Sequence, residues 1–566
     1  MTAASVLTGS GVGRGAVVGP VARAHPAPPT PTEAAGPDSE AGRAEAVERV
    51  AQAYRDVADA LTARAEQAAG TTMGEVLEAT AAMASDPELV GEAKTRVMQG
   101  QEPTFAVDHA TKEYIDLFTA AGGYLAERVT DLRSVRDRVI SRLAGLPEPG
   151  VPALAEPSVV VAQDLAPADT AALDLDKVLA IIIEQGGPTG HTAIIAGQLG
   201  IPCIVRVGGA ADLADGQVVA VDAAAGTVTI DPDDDVRARA QARGDALQRL
   251  ADDTSDGATA DGHPVQLLAN IGTAEDAERL TDAAVEGVGL FRTEVLFLGR
   301  TTAPTREEQA DTYERALRAL GGRKVVVRTL DAGADKPLAF VTRSDEENPA
   351  LGVRGYRLVR TAPELMADQL HALAEASRRT GVEPWVMAPM IADVDEATEF
   401  ARLAREAGLA KVGVMIEVPA AALRARDVFS AVDFVSLGTN DLAQYTMAAD
   451  RLLGGLVDLL DPWQPAVLEL VAAVSWAGGE AEKPAGVCGE SASDPLMALV
   501  LTGLGITSLS MSPAAVPGVR FALSKHTREQ CEAIAGAARG GRTAAASRAA
   551  ALELCDPEVR EVLALG

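Results

Sequence analysis

From residue 263 onward, short apolar runs alternate with longer stretches in which apolar positions recur every three or four residues. The runs are Val265 to Asn270, Gly287 to Phe291, Lys324 to Arg328, Trp385 to Met390, Val412 to Ile416, Phe434 to Leu437, Pro484 to Cys488 and Thr507 to Ser510. A continuous apolar run of that length suits a strand covered on both faces, and the periodic stretches suit helices with one buried face. Eight strands with helices between them predict a closed (β/α)8 barrel of the TIM type.

The first half of the chain carries two other patterns. Residues 5 to 24 place Gly9, Gly11, Gly13, Gly15 and Gly19 among valines and alanines, which reads as short strands and tight turns, and the proline-rich segment His25 to Pro37 reads as a loop. Long amphipathic periodicity follows, with helices expected over Glu40 to Ala69, Gly74 to Met83, Asp86 to Met98 and Phe105 to Leu143, the last breaking at Gly122-Gly123. Asp86-Pro87 is a helix start, because the first turn tolerates proline. A purely structural bundle and a docking face for another protein give the same periodicity. Beyond Gly145 to Gly150, strands are expected at Ser158 to Ala162, Val178 to Ile183, Cys203 to Val205 and Val218 to Val221, making a compact α/β domain that the N-terminal strands can join. A linker with an acidic start at Asp231 to Asp235, a helix to Ala251 and the polar stretch Asp252 to Gly262 separates it from the barrel.

Composition narrows the function classes. A chain of 566 residues has room for several domains, and no apolar stretch is long enough to span a membrane. The formal net charge of −31 argues against nucleic acid or an anionic lipid surface as partner. The four cysteines are too scattered for a disulfide framework or a zinc site. No basic cluster precedes an apolar run at Met1 to Val6, so the cytoplasm is the expected compartment.

Two constellations carry candidate chemistry. Gly186-Gly187-Pro188-Thr189-Gly190-His191-Thr192 joins the apolar run Val178 to Ile183 to a short helix. A histidine there stands beside free backbone N–H groups and a positive helix end, and an ordinary imidazole with a pKa of about 6.5 is largely neutral and nucleophilic near neutral pH. That suits a histidine carrying a phosphoryl group, although a histidine packing at an ordinary strand-to-helix turn has the same local pattern. In the barrel, chemistry belongs at the C-terminal ends of the strands. Arg292, Arg328, Glu417, Asn440, Asp441 and Cys488 close or follow such runs, with Arg451 ten residues past Asp441. Glu417 and Asp441 offer hard oxygen ligands to magnesium, and Arg292, Arg328, Arg451 and Asn440 can grip a small substrate bearing a phosphate and a carboxylate. Cys488 could give a proton to the carbon of an enolate, or be a small buried filler.

These residues lie in motifs that resemble Enzyme I of the bacterial sugar phosphotransferase system. The resemblance rests on the segment ending in His191-Thr192, on Gly287-Val288-Gly289-Leu290-Phe291-Arg292-Thr293-Glu294 and on Val327-Arg328-Thr329-Leu330-Asp331. It rests also on Asn348-Pro349-Ala350-Leu351-Gly352-Val353-Arg354, Ile416-Glu417-Val418-Pro419-Ala420-Ala421 and Gly438-Thr439-Asn440-Asp441-Leu442-Ala443-Gln444-Tyr445. It implies an α/β multidomain chain. Residues 1–37 would give the N-terminal strands of a swivelling phosphohistidine domain, 38–147 an inserted helical carrier-protein-binding domain, 148–230 the rest of the phosphohistidine domain, 231–262 a linker and 263–566 the phosphoenolpyruvate-binding barrel and dimerisation domain.

The resemblance further implies that phosphoenolpyruvate binds through Arg292, Arg328, Asn440, Asp441 and Arg451 with Mg2+ on Glu417 and Asp441. His191 would take the phosphoryl group, Cys488 would protonate the enolate to pyruvate, the phosphohistidine would pass its group to the carrier protein HPr, and the chain would form a homodimer through its barrel. Gly190 stands where the family carries serine, and Ala166 replaces a threonine in the pattern Asp164-Leu165-Ala166-Pro167. Thr80 lies near where many members carry a histidine of the docking face, and Arg128 and Asp131 are candidate contacts to the carrier or the active histidine, or solvated helix charges. A pyruvate phosphate dikinase or phosphoenolpyruvate synthase type enzyme would need an additional ATP-binding domain, for which no glycine–lysine phosphate motif is present. A non-catalytic regulatory relative would lack a ligand or the nucleophile, and none is missing.

Overall fold

The structure, a computed structural model, describes residues 5–67, 72–121, 128–165, 169–170, 173–187, 191–298, 300–333, 338, 340–341, 346–451 and 453–565. It divides into two compact units, Met1–Asp245 and Ala246–Gly566.

The first unit is built on an eight-stranded sheet of order β1-β8-β7-β3-β4-β5-β6-β2, with β1 Val6–Thr8, β2 Ser10–Val12, β3 Ala16–Arg23, β4 Ser158–Ala162, β5 Val178–Ile183, β6 Cys203–Val205, β7 Val218–Asp222 and β8 Thr227–Ile230. Strands β3 to β6 run parallel, and β4 is buried at every position, as a strand covered on both faces must be. Between the neighbours β3 and β4 the chain leaves to form a helical insertion whose described helices are α1 Glu40–Gln67, α2 Thr72–Ala84, α3 Pro87–Met98, α4 Pro103–Ala121 and α5 Val129–Ala144. The break expected at Gly122-Gly123 within Phe105 to Leu143 lies outside the described residues, with α4 before it and α5 after it, and the α3 start follows the sequence, with Asp86 accepting from the Glu88 and Leu89 N–H groups.

The insertion is closed where it leaves the sheet. His25 and Gly150 exchange two backbone hydrogen bonds of 2.9 and 3.0 Å, so the outgoing and returning chains pair. Arg138 on α5, 3 % exposed, binds Glu148 at 3.1 Å and Asp169, while Arg64 on α1 reaches the same Glu148 oxygen at 2.9 Å. Gly150, at φ +101°, passes so close to Asp169 that a Cβ would stand 2.4 Å from its Oδ1.

Helix α6 (His191–Leu199) follows β5, and α7 (Asp234–Ala251) crosses the boundary between the units. Residues 257–262, placed in a linker on sequence grounds, hydrogen-bond to the barrel: Gly257 N–H donates to Glu286 at 3.2 Å and Ala260 N–H to the His526 carbonyl at 2.8 Å. Polar residues there satisfy backbone groups on the barrel surface as well as water would, so composition alone does not tell such a strap from a free linker.

The second unit is a closed parallel barrel of β9 Gln266–Ile271, β10 Gly287–Arg292, β11 Lys324–Arg328, β12 Trp385–Ala388, β13 Lys411–Ile416, β14 Phe434–Gly438, β15 Ala485–Cys488 and β16 Ser508–Met511. Its strands pair in sequence order, and β16 returns to β9. Inside the barrel Leu290, Val326, Met387, Met415, Phe434 and Cys488 form one cluster, separate from the larger core beneath the helices. The interior is therefore packed, and the strand ends are left for chemistry.

Candidate active site at the barrel mouth

The strand ends concentrate buried charge. Arg328 closes β11 at 6 % exposure and pairs with Glu294 and, at 3.3 Å, with Asp331. Glu417 follows β13 and is 1 % exposed; its Oε2 accepts the Met390 N–H at 2.8 Å. Gly438, ending β14, lets the chain pass beside it, since a Cβ there would stand 2.7 Å from Glu417 Oε1. Helix α8 (Thr439–Met447) starts at once, placing Asn440 and Asp441 in its first turn, Asn440 exposed and Asp441 7 % exposed. Arg451 reaches back to Asp441 Oδ2 at 3.4 Å and donates its own N–H to Gln444 Oε1 at 3.0 Å. Arg292 ends β10 exposed, and Cys488 ends β15 at 2 % exposure.

Arg354 is the residue around which these groups meet. It is 1 % exposed, binds Asp331 at 3.2 Å and Asp441 Oδ1 at 3.3 Å, and lies 3.4 Å from the Tyr445 hydroxyl. Neither Arg354 nor its partner Asp331 nor Glu294 stands out by strand-end position, although each lies in a quoted motif. Their signal is a charged side chain set among small and apolar neighbours, which has to be paired if it is buried.

Electrostatics separate the roles. Burial, followed by the Asp441 and Asp331 carboxylates, pushes the Glu417 carboxyl up to about 8, against the pull of Arg328. Carboxylates crowded in this way are relieved by a cation, so the pair fits a divalent metal. Among the described residues no group of three or more His, Cys, Asp and Glu side chains is arranged to hold a metal ion, so Glu417 and Asp441 would need other oxygens, such as those of substrate or water, to complete its shell. Burial works against the Arg328 charge, but Glu294, Asp331 and Glu417 outweigh it and hold that guanidinium ionised. Its Nε is buried with no partner among the described residues, a donor available to an oxyanion. Burial also pushes the Cys488 thiol up, with a Ser436 hydrogen bond opposing, and so keeps its proton in place.

In the first unit, His191 begins α6, with Pro188 to Gly190 and the His191 side chain outside the described residues. Ala166 and Pro167 lie outside them as well. Before that turn, Arg206 donates through Nε to the Gly186 carbonyl at 3.0 Å, and Thr192 at the helix start donates to the Leu165 carbonyl at 3.3 Å. Thr80 is fully buried, its hydroxyl donating to the Val76 carbonyl at 2.8 Å, so at this position the side chain serves packing and not a docking face. Arg128 pairs with the buried Asp131 at 3.0 Å.

Three families of PEP-utilising enzyme domains match the chain: the N-terminal domain over residues 8–128, the mobile domain over 154–226 and the PEP-binding domain over 248–528. A phosphoenolpyruvate-protein phosphotransferase of Streptomyces coelicolor is 49 % identical over 552 residues, covering 97 % of this chain and 98 % of its own. Proteins of the same name from Haloferax volcanii and Bacillus subtilis are 39 % and 35 % identical, covering 82 % and 88 % of this chain and 84 % and 90 % of their own. A solution structure of an Enzyme I protein covers 43 % of the chain and 99 % of its own at 27 % identity, with a TM-score of 0.38. With the barrel, the inserted bundle and a mouth of paired arginines and carboxylates, this similarity along nearly the whole chain makes it a member of the phosphoenolpyruvate-protein phosphotransferase family.

Proposed function

We propose that the chain transfers the phosphoryl group of phosphoenolpyruvate to His191 and from there to the carrier protein HPr, releasing pyruvate as the first step of a sugar phosphotransferase system. The observation that carries this reading is the buried network of Glu417, Asp441, Asp331, Arg354 and Arg328 at the strand ends, in which burial and then the adjacent carboxylates push the Glu417 carboxyl up and an arginine donor is left for an anion.

In this reading Arg292, Arg328 and Arg451 bind the phosphate and carboxylate of the substrate, and Asn440 adds a neutral donor. Forked guanidinium donors suit both groups and supply orientation as well as charge. Glu417 and Asp441 would hold Mg2+, which when bound neutralises phosphate and enolate oxygens. Arg354 and Asp331 are positioning residues that fix the Asp441 carboxylate. His191 attacks phosphorus through a ring nitrogen, and the phosphorus–oxygen bond to the enolate breaks. Cys488 gives its proton to the terminal enolate carbon, which becomes the methyl group of pyruvate.

The helical bundle α1–α5 is the proposed docking site for HPr, and the barrel the proposed homodimer contact, in the cytoplasm. No helix among the described residues is long and apolar enough to cross a membrane. Phosphate-labelled phosphoenolpyruvate with magnesium, offered with and without HPr, tests the scheme: label should be retained by the wild type, be lost in His191→Ala and pass on to HPr. Labelling that requires ATP would overturn it in favour of a synthase, and no labelling in favour of a regulatory role.

A further inference from the structure

Below Cys488 the barrel interior is not uniformly apolar. Ser436, at the middle of β14, lies with its Oγ 3.4 Å from Cys488 Sγ. In strand register Ser436 pairs with Gly486, Gly486 with Ser508, and Ser508 with Gln266, so these four positions form one row around the barrel. Gly486 leaves a gap in that row: a Cβ there would stand 2.4 Å from Ser508 Oγ. A small cavity lined by Ser436, Gly486, Ser508, Phe434 and Lys324 fills the space, with room for roughly one water.

Lys324 starts β11, and with Phe434 and Ser508, the first residues of their own strands, it marks the barrel floor, opposite the mouth. Its Nζ is 3.2 Å from Gln266 Oε1 and 4.1 Å from the centre of the half-buried Trp385 ring, on which Lys411 also stands at 5.7 Å. Glu286 is the acidic group acting on it. A polar seam thus leads from the floor to the thiol through an otherwise apolar lumen.

We propose that this seam is a proton relay that reloads Cys488 from the barrel floor, running from Lys324 through a cavity water and the Ser436 hydroxyl to Cys488 Sγ. The inference rests on the reading of Cys488 as proton donor. When the S–H bond of Cys488 breaks and its proton joins the enolate carbon, the thiolate takes the Ser436 hydroxyl proton. Ser436 takes one from the water, the water takes one from the Lys324 ammonium, and Lys324 recovers one from solvent at the floor. One proton enters per pyruvate formed and no electrons are exchanged. The proton thus reaches Cys488 without passing through the substrate mouth. A serine hydroxyl can fill this place because it donates and accepts at once. Burial lowers the Lys324 ammonium to about 8, so it can give up a proton near neutral pH.

The test compares full-length wild type with Ser436→Ala, Ser436→Thr, Lys324→Met and Cys488→Ala, using magnesium, phosphoenolpyruvate and HPr, in light and heavy water. Steady-state pyruvate formation and first-turnover labelling of His191 are read separately, with circular dichroism to establish folding. Ser436→Ala and Lys324→Met should slow pyruvate formation about tenfold and enlarge its solvent isotope effect, with labelling slowed much less because Cys488 starts protonated. Ser436→Thr, keeping the hydroxyl, should recover most of the rate. The wild-type rate should fall as pH rises through about 8, and Lys324→Met should lose that limb. Equal slowing of labelling and pyruvate formation would overturn the relay, as would wild-type behaviour of both variants beside a slow Cys488→Ala. An unimpaired Cys488→Ala would overturn the donor reading itself.

Discussion

Two arginine–carboxylate networks in this chain look alike on paper and behave oppositely. At the junction of the helical insertion with the sheet, Arg64 and Arg138 share Glu148, and Arg138 also holds Asp169. At the barrel mouth, Arg328 and Arg354 face Glu294, Asp331, Glu417 and Asp441. Burial raises Glu148 somewhat, but its two arginines overcome that and hold it below the usual carboxylate range, whereas Glu417 is pushed up to about 8. A matched network stabilises its own charges; in one where carboxylates crowd together in a buried site, the proposed Mg2+ would relieve their repulsion. The two networks thus differ in the direction in which their central carboxylate is shifted, and the upward shift lies at the barrel mouth.

The sharpest way to break this contrast is Glu417→Gln. Phosphoenolpyruvate-dependent labelling should fall about 100- to 1000-fold, in the range seen when a principal electrostatic group is removed, while metal-free stability should not fall. Because folded Glu417 holds its proton to about 8 and an unfolded glutamate releases it near 4.5, the folded state binds more protons across that window, and this group's contribution to stability falls as pH rises through it. Melting of metal-free protein at pH 6 and pH 8 should thus show a larger alkaline loss in wild type than in the variant. An equal loss would mean that the carboxylates are matched after all.

Next in size, Arg354→Met removes the buried guanidinium that Asp331 and Asp441 share, leaving Arg328 and Arg451 beside them, and should cost ~3–5 kcal/mol in urea unfolding of the second unit, followed by its tryptophans. Glu148→Gln at the junction should cost only ~1 kcal/mol or less, because the pair with Arg64 is partly open to water. Its sign with pH is opposite to that of Glu417: the lowered carboxyl contributes above its ordinary value and loses that contribution on acidification, so calorimetry of the wild type should show a steeper acid loss than the variant. Arg402→Ala, removing an exposed arginine that bridges Glu399 and Glu406 along one helix, should leave the melting temperature unchanged and set the baseline.

Much of the barrel was legible because parallel strands buried on both faces are written as apolar runs, and the eight runs read from the sequence coincide with β9 to β16 to within a residue or two. Glu417, Asp441 and Arg328 were legible for a related reason, since a charge closing such a run has to sit at the mouth. Arg354 and Asp331 were not, because they lie in irregular chain between β11 and the helix Pro363–Thr380, where no period predicts which side chain turns inward. Strand β8, a four-residue element between β1 and β7, was missed as well, since so short a run between turns has no distinctive period.

By itself the sequence determined the order of elements, the closed barrel, the helical insertion between two strands and the residue types that end each strand, because periodicity and turn chemistry are local properties. Only the tertiary structure decided which charges meet, that Thr80 is buried, that Gly438 brings Glu417 beside the start of α8, and that a glycine opens a polar gap beneath Cys488. Those outcomes depend on register and close approach between segments far apart in the chain, where a shift of a few tenths of an ångström separates a contact from a clash and no local pattern records the distance.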